Sequence, residues 1–191
     1  MRLRNISIIA LIITSICFFS ACNPIIIEGI DEFSQGTSSM GLTKYLLPDS
    51  DFLSRFNYLD SCYYYYDNDR FDEDSMEKVF MMLTYDNKTY LDSKEYCLST
   101  MKLSSSNIKE LGQYVWIENL SLPDAYDHLT HDINTEFPYF FNMIGYNDEE
   151  NTLVFIGFRC EKAHYDAANS ANTDFAAFLK EFYGDYYQFA A

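Results

Sequence analysis

Hydrophobic and polar positions follow three different spacings along this 191-residue chain, and each spacing predicts its own kind of element. Residues 6–19 form a nearly unbroken apolar run. Residues 23–47 carry Gly29, Gly36, Gly41 and a Ser/Thr cluster at 37–39, which resist regular structure and read as a tether, in which Ile25-Ile26-Ile27 is the odd element, expected either against the bilayer surface or packed on the domain. Residues 52–66 are aromatic, with Phe56 and Tyr58 alternating against polar neighbours, which predicts one long strand. An acidic turn at 67–74 leads to a second strand at 78–85, rich in β-formers and bounded by Asp86-Asn87. Leu91, Glu95, Leu98 and Met101 suggest a helix over 90–101 with one modest apolar face, ended by Ser104-Ser105-Ser106-Asn107. A short strand is expected at 114–118. Residues 139–146 and 152–159 flank the polar linker Asn147-Asp148-Glu149-Glu150-Asn151, the pattern of a hairpin. Gly145 and Gly157 inside those strands predict bulges or close backbone approach. Finally, Phe175, Phe178, Leu179 and Phe182 recur at helical spacing, behind a cap at Thr173 or Asp174 and ahead of Gly184. The expected order, ββαβββα without a repeating βαβ unit, is an α+β domain over 48–191 with an antiparallel sheet and two main helices.

The apolar run at 6–19 is too short for a comfortable membrane span, which takes about 20 residues. With Arg2 and Arg4 before it, it has the form of an export signal. It closes on Phe19-Ser20-Ala21-Cys22. Small residues at 20 and 21 suit a signal-processing enzyme, whose subsites there accept little bulk. A cysteine just beyond them resembles the lipobox of bacterial lipoprotein precursors, with Phe19 where Leu is usual. The resemblance implies a signal peptide over 1–21, acylation of Cys22, and a lipidated tether over 22–47. It also implies a chain held by fatty acids such as palmitate at the extracytoplasmic face of the cell membrane. One acyl chain holds only marginally, whereas two or three make a stable anchor. A flexible tether of this length has a reach of about 25–30 Å.

Composition narrows the partners. Without residues 1–21 the chain keeps 11 basic residues against 29 acidic ones, a formal charge of −18. Such a surface repels phosphate backbones, so no nucleic-acid partner is expected. It equally disfavours polybasic attachment to anionic lipid, which leaves the acyl chains as the membrane grip. Three cysteines remain besides Cys17 and Cys22, namely Cys62, Cys97 and Cys160, and they include no C-x-x-C pair. Neither a zinc site nor a disulfide framework is expected from them, and buried thiols are the simplest reading.

The densest candidate chemistry is Asp124, Asp127, His128, His131 and Asp132, behind Pro123. On a helix Asp124, His128 and Asp132 would align at i, i+4 and i+8, with Asp127 and His131 beside them. Imidazole and carboxylate together can hold a divalent metal or work as an acid–base pair. The two histidines are three apart, not four as in H-E-x-x-H, so a distant ligand such as His164 would be needed. A solvated helix face is the plainer reading, and no cofactor is expected. The acidic loop at 67–74 begins like a calcium loop but has Phe71 and Asp72 where an EF-hand needs an oxygen ligand and glycine. Tyr63, Tyr64, Tyr65 and Tyr66 would send two rings inward and two outward from a strand, and outward rings can stack on sugars or a protein partner. The sequence contains no G-x-S-x-G elbow and no phosphate-binding glycine loop. The leading expectation is thus an envelope lipoprotein that binds a protein, peptide or glycan. The alternative is a metal-binding or metal-assisted hydrolytic lipoprotein using His128 and His131.

Overall fold

The computed structural model describes residues 25–28, 48, 50–68, 76–120, 139–160, 164, 171 and 173–184. Among these residues seven strands and three helices run in the order β1 (Ile25–Glu28), α1 (Ser50–Arg55), β2 (Asp60–Asn68), β3 (Met76–Thr84), α2 (Asn87–Thr100), β4 (Leu103–Leu111), β5 (Tyr114–Asn119), β6 (Tyr139–Asn147), β7 (Thr152–Cys160) and α3 (Phe175–Tyr183). The strands form one sheet in the order β1-β2-β3-β7-β6-β5-β4, with every adjacent pair antiparallel. The domain is therefore α+β with an antiparallel sheet, as the sequence pattern implied.

Helices cover both faces of that sheet, giving three layers. Phe80, Trp116, Met143, Val154, Ile156 and Phe158 pack beneath α3. Tyr63, Tyr65, Val79, Met81, Leu83, Ile144, Leu153 and Phe155 lie against α1 and α2. Two-sided cover explains why β7, TLVFIGFRC, is buried at all nine positions and shows no alternation.

Helix α3 matches its sequence signal closely. Phe175, Phe178, Leu179 and Phe182 are buried, and Asp174 caps the start, its Oδ1 accepting from the Ala177 amide at 3.0 Å. Gly184 follows the helix with φ of +31°, a conformation that suits glycine. The β6–β7 hairpin also forms where the polar linker placed it. Asn147 Oδ1 accepts from the Glu149 and Glu150 amides, and Asn151 takes φ of +54°. Gly145 proves to be a site of close approach, because a Cβ there would stand 2.9 Å from the Trp116 ring.

Four expectations are corrected. The single strand at 52–66 is two elements, with α1 ending at Arg55 and β2 starting at Asp60. Phe52 and Phe56 sit four apart, the helical spacing, and both rings pack on Tyr96. Ser104 to Asn107 belong to β4, not to a helix-ending loop. The ladder with β5 is irregular between Leu103 and Ile108, and Ser104 Oγ accepts from the Asn107 amide at 3.1 Å inside that bulge. Helix α2 buries Tyr90, Ser93 and Cys97, whereas Leu91 and Leu98 are exposed. Tertiary packing thus selected an aromatic and small-residue stripe over the leucines, with Ser93 Oγ donating to the Tyr90 carbonyl of its own helix. Last, Ile25–Glu28, inside the expected tether, pairs with β2 as the edge strand β1. The order ββαβββα accordingly lacks β1, α1 and β4.

Among the described residues no helix is long and apolar enough to cross a membrane.

Candidate functional site

The sequence-predicted residues divide sharply. Cys22, Asp124, Asp127, His128, His131 and Asp132 lie outside the described residues. Among the described residues no group of three His, Cys, Asp or Glu side chains is placed to hold a metal ion. His164 is half-buried, with its ring edge-on to Phe182. The four tyrosines of β2 do alternate, but both sides of β2 are covered. Tyr63 and Tyr65 are buried toward α1 and α2, while Tyr64 and Tyr66 are half-buried on the α3 side. The Lys78 ammonium lies over the Tyr66 ring at 4.8 Å and the Tyr64 ring at 5.8 Å, and donates to the Phe182 carbonyl at 2.7 Å. Burial pushes Lys78 down to about 8. This outward pair therefore grips the last turn of α3 through Lys78.

A polar row that the sequence did not single out crosses three strands on the opposite face. Asp67 of β2 stands opposite Glu77 of β3, and Glu77 stands opposite Arg159 of β7. All three are buried, Glu77 completely. Opposed like charges destabilise a sheet. Here two partners offset the repulsion. The Arg159 guanidinium forms an ion pair with Glu77, and the Tyr65 hydroxyl lies 3.1 Å from Asp67 and 3.3 Å from Glu77, able to donate to either. Near it on β6, Asn142 is 2% exposed, and its amide finds no hydrogen-bond partner among the described residues. The row contains acid, base and hydroxyl groups, but Tyr65 and Glu77 are fully buried. Its effect is to tie the ends of β2, β3 and β7 together. The only sequence signal was charge at the ends of apolar strands, and the register that joins those charges is a tertiary property.

At the other end of the sheet, α2 is fastened to the β6–β7 hairpin. Asp148 Oδ1 accepts from the Tyr90 hydroxyl and the Lys94 ammonium, both at 2.5 Å, and Lys94 lies 3.8 Å above the Tyr146 ring. These donors hold the Asp148 carboxyl below the usual carboxylate range, Lys94 contributing most. Cys97 and Cys160 are buried and Cys62 is half-buried. Burial pushes the Cys97 thiol up to about 12, which keeps it protonated and inert.

Among the described residues an open groove of about 520 Å³ lies where α1 meets α2. Arg55, Lys88, Asp92 and Glu95 bring charges of both signs to it, beside Thr89 and Ser99. Arg55 stacks over Tyr96 at 4.9 Å and over Phe56 at 5.2 Å, which fixes a guanidinium at the wall. Such a surface can receive polar chains through paired charges and hydroxyls. Comparison with known proteins gave no match to a family model, a curated protein or a solved structure.

Proposed function

We propose that this chain is an exported lipoprotein, acylated on Cys22 at the extracytoplasmic face of the cell membrane, whose α+β domain binds a protein, peptide or glycan. The observation that carries this reading is the N-terminal basic start, apolar run and Phe19-Ser20-Ala21-Cys22 sequence. The fold is compatible with it, since the sheet takes up its first strand at Ile25, three positions after Cys22. The α1–α2 groove supports the binding role, because charge of both signs and an ordered Arg55–aromatic stack favour a polar, extended partner over an apolar one. With a formal charge of −18 on the mature chain, nucleic acid is not among the partners.

Mass spectrometry of the mature N-terminus tests the anchor. The expected peptide begins at a diacylglyceryl-modified Cys22, and Cys22→Ser abolishes incorporation of labelled palmitate. A mature chain that begins at Met1, or carries an unmodified Cys22, overturns the reading. A pull-down from detergent-solubilised envelope tests the groove. A partner retained by the native chain is expected to be lost with Arg55→Ala/Glu95→Ala, and equal retention overturns that surface.

A further inference from the structure

The position of β1 determines how far an anchor at Cys22 can hold the domain from the bilayer. Ile25 is the first residue of β1 and pairs with Asp67, so the chain is already part of the sheet three residues after the cysteine. Three residue steps of extended chain span at most about 11 Å. The glycine- and serine-containing stretch that reads as a tether comes after β1, between Glu28 and α1. While β1 stays paired, that stretch follows the point where the chain joins the sheet and adds nothing to the reach.

We infer that β1 holds the domain against the lipid surface, with the corner of the sheet at Ile25 and Asp67 turned toward the bilayer. The inference rests on the acylation of Cys22 proposed above. Ile26, Ile27 and Glu28 continue the pairing opposite Tyr66, Tyr65 and Tyr64, so the grip is four residue pairs long. The β6–β7 hairpin at 148–151 and the β4–β5 turn at 112–113 belong to the opposite end of the strands. A nine-residue strand places that end about 27 Å away along the sheet. Separation of β1 from β2 would transfer the whole segment from 23 to 47 to the tether and raise the reach to about 25–30 Å. The edge strand is thus a latch between a membrane-apposed and a long-leashed domain. Its partner surface is lipid.

Trp116, the chain's single tryptophan, supplies a built-in distance probe. The acylated full-length protein is reconstituted into phosphatidylcholine vesicles containing dansyl-headgroup lipid, zwitterionic so that the acidic chain is not repelled. Energy transfer from Trp116, which β5 carries about 24 Å across the sheet from β1, is expected to be detectable for the native protein. A flexible insert of about 20 residues between Pro24 and Ile25, which leaves β1 intact, adds about 25 Å of reach and is expected to remove most of the transfer. Ile26→Pro/Ile27→Pro is expected to give the same loss. Along an edge strand successive amides point alternately toward and away from the neighbour, so this double change removes at least one ladder bond. Near-UV circular dichroism confirms that the domain still packs. Equal transfer in native and insert proteins, or undiminished transfer in the double-proline protein, overturns the latch while leaving the lipoprotein intact. A chain whose mass carries no acyl group overturns the anchor and the latch together.

Discussion

The two faces of the sheet solve the same burial problem by different means. Beneath α3 the contact is aromatic: Phe158 meets Phe178 at 5.2 Å and Phe182 at 4.7 Å, and Trp116 meets Phe175 at 5.3 Å, all edge-on. Against α1 and α2 the same strands carry Asp67, Glu77 and Arg159 among buried tyrosines. The first face relies mainly on non-directional burial, whereas the second adds to its apolar cluster a register that lines up specific charges. A sheet covered on both sides can thus have one face whose stability follows buried volume and one whose stability also follows charge pairing.

Substitutions at four positions would break or sharpen that contrast most strongly. Arg159→Met leaves Glu77 buried without its cation and is expected to cost about 3–5 kcal/mol in chemical denaturation. Glu77→Leu/Arg159→Met removes both charges and should recover most of that loss. A double variant as unstable as the single would show that the ion pair is not the cause. Phe178→Ala, on the aromatic face, should also cost about 3–5 kcal/mol through cavity formation. It should show no such rescue by a neighbour. Gly145→Ala should be milder, at about 1–3 kcal/mol, since the new methyl displaces the Trp116 ring. A blue or red shift of Trp116 emission would report the displacement.

Smaller effects test the fastenings at the periphery. Tyr90→Phe removes the hydroxyl that reaches Asp148 and should cost about 1 kcal/mol, less than an ideal charged pair because Asp148 is largely exposed. The fastening of α3 is tested by a pH dependence at Lys78. Its folded value, about 8, lies below the ordinary lysine value of 10.5. Between those two values the unfolded chain holds more protons than the folded one, so stability rises with pH across that window. Below about pH 8 the residue is protonated in both states and the dependence vanishes. Denaturation of the native protein and of Lys78→Met from pH 7 to 10 should therefore give curves whose difference moves in favour of the native chain above pH 8. A constant difference would mean that the ammonium is not desolvated by Tyr64, Tyr66 and α3.

The sequence by itself determined the elements whose signal is local. Helix α3 was legible because its phenylalanines repeat at the helical period between a capping Asp174 and Gly184, and the β6–β7 hairpin because a polar run separates two apolar ones. It also determined the acidic surface, and it carries the N-terminal pattern on which the proposed anchor rests. Tertiary structure alone decided the rest. Leu91 and Leu98 lost the buried face of α2 to Tyr90, Ser93 and Cys97 because the shape of the sheet beneath selected the stripe that fits. The Asp67–Glu77–Arg159 row, the Tyr65 hydroxyl between its carboxylates, and the pairing of Ile25–Glu28 with β2 each join residues far apart in the chain. Such contacts depend on strand register, and register is a property of the assembled sheet that no local spacing encodes.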